Sequence, residues 1–171
     1  MKIAIYGPMC SGKTTVAKLI QELEPRYKIY SFGQKIKDLA SELFQMKHKD
    51  RSLLINIADK MREIDEDVWV KYIMNQTENN DFCLIDDLRF QNELNYLDGW
   101  KIICLTTPEE ERIKRLKQIY PNTFEDHIKN MKHKSETDSL NFPSGTVYVD
   151  TNAPIETLKE FFEVCLETSL K

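Results

Sequence analysis

The chain has 171 residues, 41% hydrophobic and 30% charged, with 28 acidic against 24 basic side chains and a formal net charge of −4. That length suits one domain whose core needs neither disulfides nor a structural metal. The interspersed, slightly acidic charge excludes a broad footprint for nucleic acid, and neither a membrane-length apolar run nor a signal-peptide pattern is present, so a soluble cytoplasmic protein is expected.

In chain order, Ile3-Ala-Ile5 reads as a buried strand, and after Tyr6 the chain runs into Gly7-Pro-Met-Cys-Ser-Gly-Lys-Thr14; Val16, Leu19, Ile20 and Leu23 then recur at helical spacing. The loop fits Gly-x-x-x-x-Gly-Lys-[Ser/Thr], with Gly7, Gly12, Lys13 and Thr14 at the fixed positions. A loop that wraps a polyphosphate must turn backbone N–H groups inward, which glycine allows without a Cβ penalty. Lys13 brings a mobile charge toward the β- and γ-phosphates, the Thr14 hydroxyl is placed to ligate Mg2+, and the helix start aims its positive end at the anion. Cys10, Ser11 and Thr15 complete the expected ATP-binding set, with ATP as donor and Mg2+ as cofactor.

Tyr27 to Phe32 reads as a short strand, and Gly33 opens a helix with Ile36, Leu39, Ala40, Leu43 and Phe44 on one face. Leu53, Leu54, Ile57, Ala58, Met61 and Ile64 follow the same period, and Asp65-Glu-Asp-Val-Trp-Val70 starts another helix with an acidic first turn. Residues 33 to 80 are therefore expected to form a helical insertion. Phe82-Cys-Leu-Ile-Asp-Asp87 is a near-continuous apolar strand of the kind found at the centre of a parallel sheet. Lys101 to Thr107 and Thr146 to Thr151 are further strands, each followed by a helical pattern, Pro108 to Leu116 and Ile155 to Leu166. The alternation predicts an α/β fold in three layers, a parallel sheet of about five strands flanked by helices. The polar stretch from Lys117 to Gly145 interrupts it, and its central part, about residues 119–142, is the expected lid. Cysteines 10, 83, 104 and 165 lack C-x-x-C spacing and fit packed, reduced thiols.

Asp86 and Asp87 close a buried strand at its carboxyl end, where open α/β sheets bind ligands and where a carboxylate can hold Mg2+ directly or through water; capping of the following helix is the alternative. Arg89 could clamp the phosphate of an acceptor or pair with Glu93 at i+4. Arg112 and Arg115 lie three apart on the helix leading into the lid, where they could stabilise a transferring group, sandwich the ATP base, or belong to a solvated, salt-bridged helix. Arg51 and Arg62 lie in the insertion, Arg51 being the stronger candidate for a phosphate ligand. Lys35 and Lys37 sit near a helix start, against the macrodipole, which hints at a nearby anion. Trp69 fits a core side chain or a surface on which a nucleobase stacks.

Gly7 to Thr15, Ser31-Phe-Gly-Gln-Lys-Ile-Lys-Asp38, Asp65 to Val70, Ile85-Asp-Asp-Leu-Arg-Phe-Gln-Asn-Glu93 and His133-Lys-Ser-Glu-Thr-Asp-Ser-Leu140, in this order, resemble the deoxynucleoside monophosphate kinases of phages and large DNA viruses. The resemblance covers most of the chain and implies a P-loop kinase fold and transfer of the γ-phosphoryl of ATP to a deoxynucleoside 5′-monophosphate. It points to Asp87 more than Asp86 as the constant acid, to Arg89 beside it, and to His133, Ser135 and Glu136 as substrate contacts with Lys35, Arg51 and Trp69. An acceptor that is itself a phosphate is already anionic and needs no general base, so positioning and charge neutralisation are what the protein must supply. Animal phosphomevalonate kinases look similar in the loop and in a strand-end Asp followed by Arg, which leaves a small phosphorylated metabolite as a second reading. A nucleotide-dependent switch or ATPase module is a third. The expected partners are small-molecule nucleotides, with no nucleic acid and no membrane, and apolar positions on several helices leave room for a homodimer.

Overall fold

The computed structural model describes residues 1–131 and 140–169. Its elements in chain order are β1 (Ile3–Tyr6), α1 (Lys13–Leu23), β2 (Lys28–Tyr30), α2 (Phe32–Phe44), α3 (Arg51–Ile64), α4 (Val68–Thr77), β3 (Cys83–Leu88), α5 (Gln91–Asn95), β4 (Lys101–Thr106), α6 (Glu109–Ile119), α7 (Phe124–Asn130), β5 (Val147–Asp150) and α8 (Ile155–Ser169). The five strands form one sheet in the order β2-β3-β1-β4-β5, and all pairings are parallel. β1 lies in the middle, with Ile3 paired to Leu84 on one side and to Lys101 on the other.

Successive strand side chains point to opposite faces, and this alternation divides the core in two. On one face Ile3, Ile5, Leu84, Ile103 and Leu105 pack against Val16 and Ile20 of α1 and against Leu158, Phe162 and Leu166 of α8. On the other, Ala4, Ile85 and Ile102 meet Phe32 and Ile36 of α2 and Trp69, Val70 and Ile73 of α4. Because the inner strands are covered on both faces, they read as continuous apolar runs.

Local chemistry sets the helix starts. α2 begins at Phe32, one residue before the expected Gly33, because the N–H groups of Phe32 and Gly33 both donate to the Asp87 carboxylate. Asp50 caps α3 by accepting from the Leu53 N–H at 2.9 Å. α4 starts at Val68, so Asp65, Glu66 and Asp67 precede its first turn instead of forming it. Asp65 is occupied by Lys71, at 2.8 Å.

The polar stretch after α6 includes a helix where a loop is expected. His127 of α7 is buried and stacks on Tyr120, with ring centroids 4.2 Å apart, which gives α7 something to pack against. His133, Ser135 and Glu136 lie outside the described residues. The cysteines are free, and burial raises the thiols of Cys83 and Cys104.

Trp69 belongs to the core and presents no stacking surface. It is 3% exposed, and its indole N–H donates to the Ala58 carbonyl of α3 at 3.2 Å. Trp69→Phe should lower unfolding stability by about 1–2 kcal/mol, through the lost hydrogen bond and a small void, and Trp69→Ala by about 3–5 kcal/mol. Urea unfolding followed by circular dichroism checks both; an Ala variant as stable as the parent would contradict this packing.

Candidate active site

After β1 the backbone turns tightly through residues 7 to 12. A Cβ on Gly7 would lie 2.4 Å from Ser11 Oγ and 3.1 Å from Leu105 Cβ, so glycine is required here for close approach. The left-handed conformations fall instead at Gly12, with φ 93°, and at Cys10, a non-glycine residue with φ 61°. The first turn of α1 carries no acidic residue, which leaves its positive end to attract an anion. The Lys13 ammonium donates to the carbonyls of Gly7 at 2.6 Å and Pro8 at 2.9 Å. The Ser11 side chain is fully buried and turned from the cavity, so any contribution it makes to a ligand comes through its backbone.

This loop forms one wall of a cavity of about 620 Å3 at the carboxyl ends of β1 and β3. Cys10, Gly12, Lys13, Thr14, Thr15, Arg51, Asp86, Asp87, Arg89 and Arg115 all line it, so the structure brings together most of the residues singled out from the sequence. Lys35 does not line it. Lys37 does, because it stands one helical turn from Gly33 on the face of α2 that borders the cavity.

The two strand-end aspartates differ in their partners. Asp87 accepts from Ser31 Oγ at 2.7 Å and from the N–H groups of Phe32 and Gly33 at 2.8 Å each, so it anchors the start of α2. Asp86 faces Thr14, whose hydroxyl donates to it at 3.4 Å. Burial, then the charge of Asp87, push the Asp86 carboxyl up to about 6, against the pull of Lys13 and Lys37. Thr14 and Asp86 are adjacent hard oxygen donors and fit Mg2+, which takes few protein ligands and completes its shell with phosphate and water. A cation there would relieve the charge that raises Asp86. Among the described residues no group of three or more His, Cys, Asp or Glu side chains could hold a metal.

Arg51, Arg62, Arg89 and Lys37 line the same cavity. The Arg62 guanidinium lies 4.4 Å over the Phe90 ring, donates to Asp59 at 3.1 Å and approaches Glu93 at 3.9 Å. Glu93 is buried; its carboxyl accepts the backbone N–H groups of Arg89 at 2.8 Å and Phe90 at 3.1 Å, and burial above all raises it to about 7. The i,i+4 relation expected between Arg89 and Glu93 thus runs through the arginine backbone.

The two arginines of α6 separate. Arg115 reaches the cavity, donating to the Thr151 carbonyl at 2.7 Å and to Cys10 O at 3.4 Å. Arg112 lies behind the loop, where it donates to Met9 O at 3.5 Å, and does not line the cavity. Lys49, Tyr120, His127 and Thr151 also line the cavity, and sequence reasoning overlooked them. Thr151 left a trace as the last residue of an expected strand, and Tyr120 and His127 as members of the expected lid stretch.

A family model described as an AAA domain matches residues 3–129. The chain belongs to the AAA-domain family. No curated protein matches the sequence. Among solved structures, this AAA-domain chain is similar to a gluconokinase from Sinorhizobium meliloti 1021 at TM-score 0.63 and 15% identity, covering 99% of this chain and 94% of that one. It is similar to TT1252 from Thermus thermophilus at TM-score 0.61 and 16% identity, covering 98% and 97%. It is also similar to the deoxyadenosine kinase from M. mycoides with products dCMP and a flexible dCDP bound, at TM-score 0.53 and 17% identity, covering 98% and 100%. The AAA-domain chain thus has the α/β P-loop kinase fold, with the five-stranded parallel sheet expected from its sequence.

The raised Asp86 carboxyl makes stability depend on pH with a definite sign. Its proton is held more tightly in the folded state, so ionisation opposes folding; this penalty is absent below about 4 and complete above about 6. Without nucleotide, Asp86→Asn should therefore be more stable than the parent at pH 8, by on the order of 2 kcal/mol, and the difference should vanish toward pH 4. Paired urea titrations across that range test this; a variant less stable than the parent at pH 8 would refute it.

Proposed function

We propose that the protein is an ATP- and Mg2+-dependent kinase that transfers the γ-phosphoryl group to the phosphate of a (deoxy)nucleoside 5′-monophosphate. The observation that carries this reading is the lining of the cavity, which joins a glycine-lysine loop, Thr14 and Asp86 to the cationic side chains Arg51, Arg62, Arg89 and Lys37. Such a lining suits an acceptor that is already anionic.

Transfer to an alcohol would call for a carboxylate able to take the hydroxyl proton, and Asp86, raised to about 6, is the one beside Thr14 of the phosphate loop. A phosphate acceptor removes the need for such a base and leaves positioning and charge neutralisation.

In this mechanism Lys13 exchanges its loop carbonyls for the β- and γ-phosphate oxygens, and Arg115 stands where it can meet charge on the donor side. Thr14 and Asp86 would hold Mg2+, which would supply positive charge against the donor phosphates. Arg89 clamps the acceptor phosphate, with Arg51 and Lys37 beside it. The segment of about 119–142 serves as a lid over both nucleotides, with Tyr120 and His127 as its inner face.

A small phosphorylated metabolite is the second reading, and the burial of Trp69 favours it, because the side chain expected to stack on a base belongs to the core. A coupled assay with ATP across nucleoside monophosphates, with phosphomevalonate and no-acceptor arms, tests the proposal. Turnover with no nucleoside monophosphate would overturn it.

Lys13→Met should lower kcat by orders of magnitude while leaving the fold intact, because it removes a charge that acts in the transition state; a near-parental rate in the coupled assay would contradict the role given to Lys13. Arg89→Ala should raise KM for the monophosphate and lower kcat, reducing kcat/KM about thirtyfold or more, with ATP binding alone nearly unchanged. Steady-state kinetics with calorimetry for ATP separates the two sides, and loss of ATP affinity would move Arg89 to the donor side.

A further inference from the structure

We infer that Thr151, at the end of β5, is a positioning residue that fixes the orientation of the Ser11–Gly12 peptide and thereby keeps the phosphate loop in its anion-binding form. This rests on the reading of that loop as the ATP site. The Thr151 hydroxyl is buried and donates to the Ser11 carbonyl at 2.7 Å, across 140 residues of sequence. A hydroxyl carries one proton and two lone pairs. With its proton on Ser11, Thr151 Oγ1 accepts from Thr107 Oγ1 at 2.6 Å and from Arg115 Nη1 at 3.3 Å, which saturates it. A second bond from Arg115, to the Thr151 carbonyl at 2.7 Å, holds the residue from its other side. The ends of β4 and β5 and the helix α6 thus meet at one oxygen, and that oxygen grips the loop.

The grip matters because of where it falls. In a trans peptide the carbonyl and the following N–H point in opposite directions, so holding Ser11 O toward Thr151 turns the Gly12 N–H away from it, to the side of the loop where a phosphate would lie. Rotation of that peptide changes the φ of Gly12, and glycine accepts either sign of φ at little cost. Gly12 stands at φ 93°. Local conformational preference therefore does not hold the peptide in place; the short contact on its carbonyl comes from Thr151 at 2.7 Å, with Thr107 Oγ1 more distant at 3.4 Å. Gly12 packs on the same residue, since a Cβ there would lie 3.7 Å from Thr151 Cβ.

The test is calorimetric binding of inorganic pyrophosphate and of ATP to the full chain and its variants, together with KM values in the coupled assay. Thr151→Val keeps the shape and removes the hydroxyl. It should weaken pyrophosphate and ATP alike by about tenfold, the scale of one hydrogen bond to the loop, with KM for the acceptor monophosphate little changed. Thr151→Ser, which restores the hydroxyl, should return both affinities to near the parental value, as a packing role alone would not. Should the valine variant fail to fold, Thr151→Ala makes the same deletion with a smaller side chain. Parental pyrophosphate affinity in the Val or Ala variant overturns the inference, and so does a loss confined to ATP, which would place the effect at the base. A parental protein that binds neither ATP nor pyrophosphate overturns the ATP-site reading itself, an outcome visible before any variant is made.

Discussion

One carboxylate at the end of β3 ties α2 to the sheet beside the cavity. Asp87 accepts one hydroxyl and two backbone N–H groups from Ser31, Phe32 and Gly33, and hydrogen bonds to a charged acceptor contribute about 1.5–3 kcal/mol each. They bind the first turn of α2 to the sheet and so place Lys37 and the α2–α3 pair that follows. The fit leaves little room: a Cβ on Gly33 would stand 3.2 Å from Asp87 Oδ2. The same negative charge raises the neighbouring Asp86. The group that sets the start of α2 therefore also adds its charge to the burial that raises the carboxyl beside Thr14.

A similar economy recurs at Glu93. It is buried beneath the segment that carries Arg89 and Phe90, accepts both of their backbone N–H groups, and lies 3.9 Å from Arg62. One side chain thus holds an arginine by its main chain and borders another by its guanidinium. Neither Asp87 nor Glu93 has to touch a ligand to decide where the cationic groups stand. Interactions of this kind convert a flat sheet end into a shaped site.

The sheet was legible in the sequence because parallel strands covered on both faces are apolar along their length, and the phosphate loop because its residues are contiguous. The assignment of Asp86 and Asp87 was less so. Both lie at the right end of the right strand, but which one faces Thr14 depends on the twist and register of β3 and on a partner more than fifty residues away. Lys35 and Lys37 differ only in which side of one helix they occupy, and Trp69 reads equally as core or as a binding surface until α3 is placed over it. Thr151 was out of reach for the same reason, since its partner lies at the other end of the chain. Helicity in the polar stretch after α6 was hidden because its anchor is a single stacked pair, Tyr120 with His127, instead of a repeating apolar face.

Trp69 has a use that follows from its place behind α3, which borders the cavity. The chain holds two tryptophans, and the indole of this one is hydrogen-bonded to the carbonyl of Ala58, whose neighbours Asp59 and Arg62 face the cavity. A rotation or shift of α3 that brings Arg62 toward a bound molecule must alter the polarity and hydrogen bonding around the indole, on which its excited state depends. The fold therefore carries its own optical gauge of what happens along that side of the cavity. With Trp100 replaced by phenylalanine, the emission of Trp69 would report the movement of α3 in real time, with no label in the cavity itself.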